Sequence, residues 1–213
     1  YRLQSACNRL KIPCPDLAVL RKEIAQVLTN QVDAVLKVII TRGQGGRGYK
    51  PPEQVSPSRI ISLHPLQSYP NTHKTVGIDA CFCQTRLGIS PDLAGIKHLN
   101  RLEQVLARAE WSDSNVSEGL MSDHIGRVIE GTMSNLFIVK DKILYSSPII
   151  DSGISGVMRN LIIGIALSRG LTIQLTHFSK EQLILADEIF LTNSVIGIWP
   201  IKNISGRQFL VGK

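Results

Sequence analysis

The second half of the chain is a succession of short runs rich in β-branched and alternating residues, with few helical stretches between them. Runs of about four to eight such residues, bounded by Gly, Asn, Asp and Ser, are typical of β-strands. The predicted strands lie at 118–123, 128–130, 135–139, 143–146, 171–176, 187–193, 198–202 and 208–211. This pattern favours an α+β fold in which the sheet curls into a pseudo-barrel flanked by helices.

Two helices interrupt these strands. One is predicted over 156–169, where Ser155 would cap the first turn and Gly170 would end the last. A shorter helix is predicted over 179–185. With so few helices between them, most of the strands must be joined by turns.

The first half mixes helices and strands. Helices are predicted at 1–12 and 16–30, and strands at 34–41, 58–66 and 75–85, with a glycine-rich loop at 43–48. We therefore expect a small N-terminal α+β domain over 1–87. Turn-forming residues over 88–95 indicate a linker, and 96–213 would form the larger domain.

One lysine stands out at the start of a predicted helix over 98–111. Lys97 follows Gly95 closely, and apolar residues recur there every three or four positions, at Ile96, Leu99, Leu102, Leu106 and Ala109. A packed helix would anchor such an amine and aim it into a cleft, where desolvation favours the nucleophilic neutral form. The alternative is an ordinary lysine whose amine extends into solvent at a helix start.

Composition narrows the classes of function. The formal net charge is +7, yet only 5% of the residues are aromatic and the basic residues are scattered, which disfavours a nucleic-acid surface. No apolar run approaches the roughly 18 residues of a membrane span, and no signal-peptide pattern is present, so a cytoplasmic location is expected. The four cysteines show no metal-ligand spacing, so no metal is expected. An anionic small molecule accounts for the excess positive charge.

Five segments, in this order along the chain, resemble those of the fold-type IV pyridoxal phosphate enzymes. They lie at 35–49, 93–106, 130–137, 153–159 and 186–194. The family includes branched-chain and D-amino acid aminotransferases, and the lysine segment is most similar to that of its aminodeoxychorismate lyases. The resemblance implies a small α+β N-terminal domain, partly missing here, and a larger pseudo-barrel domain that binds pyridoxal 5′-phosphate (PLP).

The resemblance also implies roles for two residues at the cofactor ring. Lys97 would bind the cofactor aldehyde as a Schiff base and later move protons as general acid and base. Glu130 would pair with the pyridine nitrogen and keep it protonated. The alternative for Glu130 is an ordinary glutamate at a strand end.

The cofactor phosphate is implied to be held from several places along the chain. Arg2 would offer a forked set of donors. Val157 and Met158 would present backbone N–H groups at a helix N-terminus, which favours an anion. Ser194 would add a hydroxyl. Taken alone, each of these is also compatible with a solvated or turn residue.

For the substrate, the resemblance implies carboxylate binding by Arg47 and Tyr49. Arg101, a turn past Lys97, is expected to face the same region and to contact cofactor or substrate. It implies a homodimeric lyase that converts 4-amino-4-deoxychorismate to 4-aminobenzoate and pyruvate in folate synthesis. The alternative within the family is a D-amino acid or branched-chain aminotransferase, since Lys97 and Glu130 serve both reactions. Outside the family, the alternative is a basic binding module without catalysis.

Overall fold

The structure, a computed structural model, describes residues 1–28 and 33–212, and it divides into two compact units. They are Tyr1–Ser68 and Tyr69–Lys213. This division comes earlier along the chain than the expected one, which placed residues up to 87 in the small domain. The reason is that the strand Ile78–Leu87 pairs within the sheet of the second unit.

The first unit contains two helices and a two-stranded antiparallel sheet. Helices α1 (Arg2–Arg9) and α2 (Leu17–Val27) precede strands β1 (Ala34–Thr41) and β2 (Ser58–Pro65). The strands pair in continuous register. Strand β1 has its predicted bounds; the end of the predicted helix 16–30, at residues 29–30, lies outside the described residues.

Side-chain hydrogen bonds join these elements within the first unit. Arg42, just after β1, donates to the carbonyl oxygens of Leu10 and Lys11 at 2.6 and 2.8 Å. Its positive charge therefore lies at the carbonyl end of α1, where the helix dipole favours a cation. Arg59 of β2 pairs with Glu23 of α2 at 2.7 Å.

The second unit carries most of the strands. Its elements, in chain order, are α3 (Thr72–Thr75), β3 (Ile78–Leu87), α4 (Leu102–Arg108), β4 (Val116–Asp123), β5 (Val128–Gly131), β6 (Asn135–Lys140), β7 (Ile143–Ser146), α5 (Val157–Ser168), β8 (Ile173–Leu175), α6 (Lys180–Ile184), β9 (Glu188–Asn193), β10 (Gly197–Ile204) and β11 (Arg207–Gln208).

Six of these strands form a closed ring. Strand β3 pairs in parallel with β4 and with β10. Antiparallel pairs then continue from β4 through β5 and β6 to β9, and β9 pairs with β10. The ring confirms the predicted pseudo-barrel, and β7, β8 and β11 extend the sheet outside it.

Apolar side chains fill the second unit. Its main core contains Trp199 and Leu136, and burying an aliphatic side chain of this size contributes about 1.5–3 kcal/mol. A smaller cluster lies under α4 and includes Leu87, Ala107 and Ile129. The strand ends that carry the candidate site are therefore attached to a packed scaffold.

Among the helices that the structure describes, none has the length and apolar character needed to cross a bilayer.

Two helix starts differ from their predictions. Helix α4 begins at Leu102 rather than at 98. Helix α5 begins at Val157 rather than at 156, its N-cap is Gly156, and no side chain in the described structure caps it. The Ser155 hydroxyl pairs instead with the Asn160 amide at 3.1 Å, so the predicted cap is wrong.

Candidate active site

Glu130 is the most buried charged group predicted for the site. It lies near the end of β5 and is only 2% exposed. Its Oε2 accepts hydrogen bonds from the Ile154 amide at 2.8 Å and from the Asn135 side-chain amide at 3.3 Å. Both bonds fall on one oxygen, so the carboxylate is fixed in orientation while lone pairs of Oε1 can accept from a ligand.

The surroundings of Glu130 shift its protonation. Burial raises its pKa to about 7, because removal from water penalises the charged form. The Ile154 N–H and the positive charges of Arg101 and Lys97 act in the opposite direction, and the negative charge of Glu118 adds to the rise. A cation placed against this carboxylate would therefore favour its ionised form.

The segment that carries Lys97 is joined by backbone hydrogen bonds to the loop after β7. Gly95 N donates to Gly153 O at 2.9 Å, and Ser155 N donates to Gly95 O at 3.2 Å. The same loop supplies the Ile154 amide that binds Glu130. The loop after β7 thus connects the segment that carries Lys97 to Glu130, although neither residue is part of the loop.

Lys97 itself is exposed and lies in an irregular segment five residues before α4. The expected helix start beside Lys97 is therefore wrong, since α4 begins only at Leu102, and desolvation of the amine stays a prediction. Instead of a helix, the backbone here is held by Arg101, which donates to the carbonyl oxygens of Ile96 and His98 at 2.6 and 3.1 Å.

Arg101 was predicted to contact substrate, and the structure gives it another set of partners. Its two bonds flank Lys97 on both sides in sequence, and its guanidinium is half-buried. Burial lowers its pKa, while the Glu130 charge acts against that lowering. Arg101 therefore fixes the Lys97 backbone and adds positive charge near Glu130; contact with substrate stays a prediction.

The N-terminus of α5 lies on the other side of the same loop. Val157 is exposed, Met158 is half-buried, and the capping residue is Gly156. The first N–H groups of a helix have no partner within it, so they favour an anion. This is the arrangement expected of a phosphate-binding helix start.

Two asparagines were not predicted as site residues, although both lie in the quoted motifs. Asn135 joins Glu130 to the Ile154 carbonyl, to which it donates at 2.8 Å. Asn193 ends β9; its Oδ1 accepts from the amides of Val195 and Ile196 at 2.8 and 2.9 Å, which shapes the turn that presents Ser194. Their positions, at the first residue of β6 and the last residue of β9, were the sequence signal that could have identified them.

The other predicted site residues lie in the first unit. Arg2 is half-buried on α1, and Arg47 and Tyr49 are exposed in the segment between β1 and β2. The structure thus links Lys97, Arg101 and Glu130 to the loop that leads into α5, and it ties Ser194 to the turn after Glu130 through Asn193. It places Arg2, Arg47 and Tyr49 only within their own unit. Their roles stay predictions.

Comparison with known proteins decides the family. A profile of the Amino-transferase class IV family matches residues 1–204. The chain belongs to this family. The resemblance found in its motifs is thereby confirmed.

Within class IV, the chain is more similar to two lyases than to a branched-chain aminotransferase. The chain is 35% identical over 216 residues to the aminodeoxychorismate lyase of Vibrio harveyi, covering 100% of this chain and 80% of that protein. It superposes on the crystal structure of 4-amino-4-deoxychorismate lyase from Pseudomonas aeruginosa with a TM-score of 0.95 and 46% identity, covering 100% and 78% of the two chains. The Escherichia coli branched-chain-amino-acid aminotransferase is 29% identical over 216 residues, 100% of this chain and 67% of that protein.

Class IV enzymes use PLP, and the chemistry of this site fits that group. A buried carboxylate, a lysine amine and an uncapped helix start match a pyridine nitrogen, an aldehyde and a phosphate, respectively.

The loop after β7 is tightly packed at Gly153. A Cβ there would lie 2.8 Å from Ile129 Cγ2 and 3.2 Å from Glu130 Oε2, so the loop has no room for a larger residue.

We expect Gly153→Ala to lower the free energy of unfolding by roughly 1–3 kcal/mol, because its φ of +82° is strained for alanine and its Cβ would crowd Glu130. Gly126→Ala is the matched control, with a φ of +87° and nothing within 4 Å of the new Cβ. Urea unfolding of both variants separates backbone strain from packing. Equal losses in the two variants would show that contact with Glu130 and Ile129 costs nothing.

Proposed function

We propose that this chain is a PLP-dependent lyase that converts 4-amino-4-deoxychorismate to 4-aminobenzoate and pyruvate. The observation that carries the proposal is the buried carboxylate of Glu130. It interacts with the positive charges of Lys97 and Arg101, and one loop is hydrogen-bonded both to Glu130 and to the segment that carries Lys97. The choice of lyase is supported by the 35% and 46% identities to lyases, against 29% to the aminotransferase.

The residues of the second unit have distinct parts in holding the cofactor. Lys97 would hold the cofactor aldehyde through Nζ, and Glu130 would accept a hydrogen bond from the protonated pyridine nitrogen. The N-terminus of α5 and the Ser194 hydroxyl would hold the phosphate. For Arg2, the family resemblance alone supports a role as a phosphate donor. When bound, the cofactor supplies an electron sink that makes the substrate C–H bond acidic.

Once the substrate amine takes its place on the cofactor, the freed Lys97 would move protons between two positions on the substrate. Its Nζ takes the proton from the ring carbon that bears the amine, and delivers a proton to the departing enolpyruvyl group as its C–O bond breaks. The ring gains aromaticity in this step, which supplies much of the driving force. Because Arg101 fixes the carbonyls on both sides of Lys97, the amine can shift while its backbone stays in place.

Glu130 and Arg101 set the charge around that proton transfer. Glu130 is ionised when a cationic nitrogen lies against it, and it then favours the protonated ring. Arg47 and Tyr49 bind the substrate carboxylates through N–H and O–H donors.

A stoichiometric assay tests the proposal. We expect the PLP-loaded protein to release pyruvate and 4-aminobenzoate in equal amounts from 4-amino-4-deoxychorismate, with no keto acid added. Turnover that requires a keto-acid acceptor would identify an aminotransferase instead. Absence of both reactions and of PLP binding would refute the enzyme proposal as a whole.

We also propose that the enzyme is a homodimer, since α4 leaves its apolar side uncovered. The sequence pattern placed Leu102 and Leu106 in the core, but they are 70% and 61% exposed, and α4 buries Gln104 and Ala107 instead. Leu99 and Val105 extend the exposed apolar face. A face of this kind on a short helix is typical of a protein interface, and a second copy is the occupant that the family resemblance implies.

We expect Leu102→Asp/Leu106→Asp to convert a dimer to a monomer, since two buried charges at an interface are strongly unfavourable. Light scattering coupled to size exclusion gives the mass directly. Leu185→Asp, at a side chain that is 65% exposed beyond α6, is the matched control and should stay dimeric. A wild-type monomer, or a dimer that survives the double substitution, would contradict the proposal.

A further inference from the structure

Glu118 is a second buried carboxylate near Glu130, and the mechanism above does not use it. It lies on β4 and is 1% exposed. Its Oε1 accepts from the amides of Gly119 and Thr132 at 3.0 and 3.1 Å and from the Thr132 hydroxyl at 2.5 Å. Its Oε2 accepts from the Ser134 hydroxyl at 2.7 Å and from the Met133 amide at 3.3 Å.

Nearly all of these donors belong to one turn. Residues 131–134 join β5 to β6, and Gly131 N donates to Ser134 O at 2.7 Å across the turn. The turn is tightly packed on the carboxylate, because a Cβ at Gly131 would lie 2.8 Å from Glu118 Oε2 and would also overlap Ser134 Oγ. Glu118 thus accepts the hydrogen bonds that water would accept from an exposed turn.

The turn lies between two parts of the proposed cofactor site. Glu130 precedes it directly and pairs with Asn135, the first residue after it. At its centre, the Met133 carbonyl accepts from the Asn193 side-chain amide at 3.0 Å. Asn193 in turn shapes the loop that presents Ser194. A shift of the turn would therefore move the ring carboxylate and the phosphate hydroxyl together.

We propose that Glu118 is a positioning residue that fixes the 131–134 turn and thereby holds Glu130 and Ser194 at a set separation for PLP. The proposal rests on the proposed function only for the identity of the ligand. A buried carboxylate is stable where donors surround it, and removing it would leave those donors without partners. Its negative charge also lies close enough to Glu130 to favour the neutral form of that residue.

Two substitutions separate shape from hydrogen bonding. In Glu118→Gln the amide oxygen retains the Oε1 partners and the new NH2 group can donate to the Ser134 hydroxyl, while only the long bond from the Met133 amide is lost. We expect PLP affinity within a few-fold of wild type for this variant. In Glu118→Leu the volume is kept and every acceptor is lost, and we expect PLP affinity to fall about tenfold or more.

Amide hydrogen exchange of the protein without PLP supplies a readout that does not depend on the cofactor. We expect peptides over 131–134 and 193–196 to exchange faster in Glu118→Leu, while peptides of β3 and β10 change little. Glu110→Gln is the control, because the Glu110 carboxylate likewise accepts from two backbone amides, those of Gln84 and Thr85 at 2.6 and 2.7 Å, but in the described structure it contacts neither the 131–134 turn nor the loop after β7. It should destabilise the protein without changing PLP affinity or exchange at 131–134.

Each outcome decides the proposal. Faster exchange at the turn with unchanged PLP affinity would mean that Glu118 only stabilises the fold, and unchanged exchange would mean that it does not hold the turn. If Glu118→Leu does not fold, Thr132→Val/Ser134→Ala removes both hydroxyl donors described above and must likewise lower PLP affinity. If wild-type protein binds no PLP, the proposed function fails, while the exchange result still reports on the turn.

Discussion

Lys97→Ala should lose covalent PLP and lower pyruvate release by at least about 10²–10⁴-fold, because both the attachment point and the proton carrier are removed. Borohydride reduction of the wild-type protein with PLP, followed by peptide mass mapping, should place a pyridoxyl group on the peptide that contains Lys97. Lys22→Ala, at an exposed lysine of α2, is the control and should retain both label and turnover.

Lys97→Arg separates the charge of the residue from its nucleophilicity. An arginine keeps a positive charge near Glu130 but stays protonated, so it forms no imine. We expect the Arg variant to bind PLP noncovalently and more tightly than the Ala variant, and to remain inactive. A borohydride label on any other lysine of the wild-type protein would overturn the assignment of Lys97.

Local sequence signals predicted the elements whose structure is decided locally. Strand β7 has its predicted bounds because a turn precedes it, in which Asp141 and Lys142 adopt left-handed φ values of 51° and 63°. The capping box at Ser179, in which Gln182 returns the hydrogen bond, likewise begins α6 near its predicted start. Such features need no information from distant parts of the chain.

The remaining features depend on contacts between distant residues. The ring closes through the parallel pairing of β10 with β3, which are separated by more than half the second unit, and periodicity carries no sign of it. In the same way, Glu118 is identified as important only once β4 lies beside the 131–134 turn. Apolar spacing predicted the wrong buried side of α4, because spacing cannot distinguish a core face from one that a partner would cover.

Glu130 should make the stability of the cofactor-free protein fall as pH rises. Its pKa is raised from the ordinary 4.5 to about 7, so between these values the folded state binds more protons than the unfolded state. The slope of unfolding free energy with pH is then negative in this window, and the folded state loses up to about 3 kcal/mol across it. Glu130→Gln does not titrate and lacks this loss.

Urea unfolding at pH 5 and pH 7.5 measures the effect. We expect the unfolding free energy of Glu130→Gln to rise relative to wild type by up to about 3 kcal/mol between the two pH values. Adding PLP should shrink that difference, because a cationic nitrogen against the carboxylate favours its ionised form and lowers the pKa that causes the loss. Parallel pH profiles for the two proteins without PLP would contradict the raised pKa. If PLP leaves the difference between Glu130→Gln and wild type unchanged, no cation lies against Glu130. The comparison with and without PLP therefore distinguishes a carboxylate that is only buried from one that binds the cofactor ring.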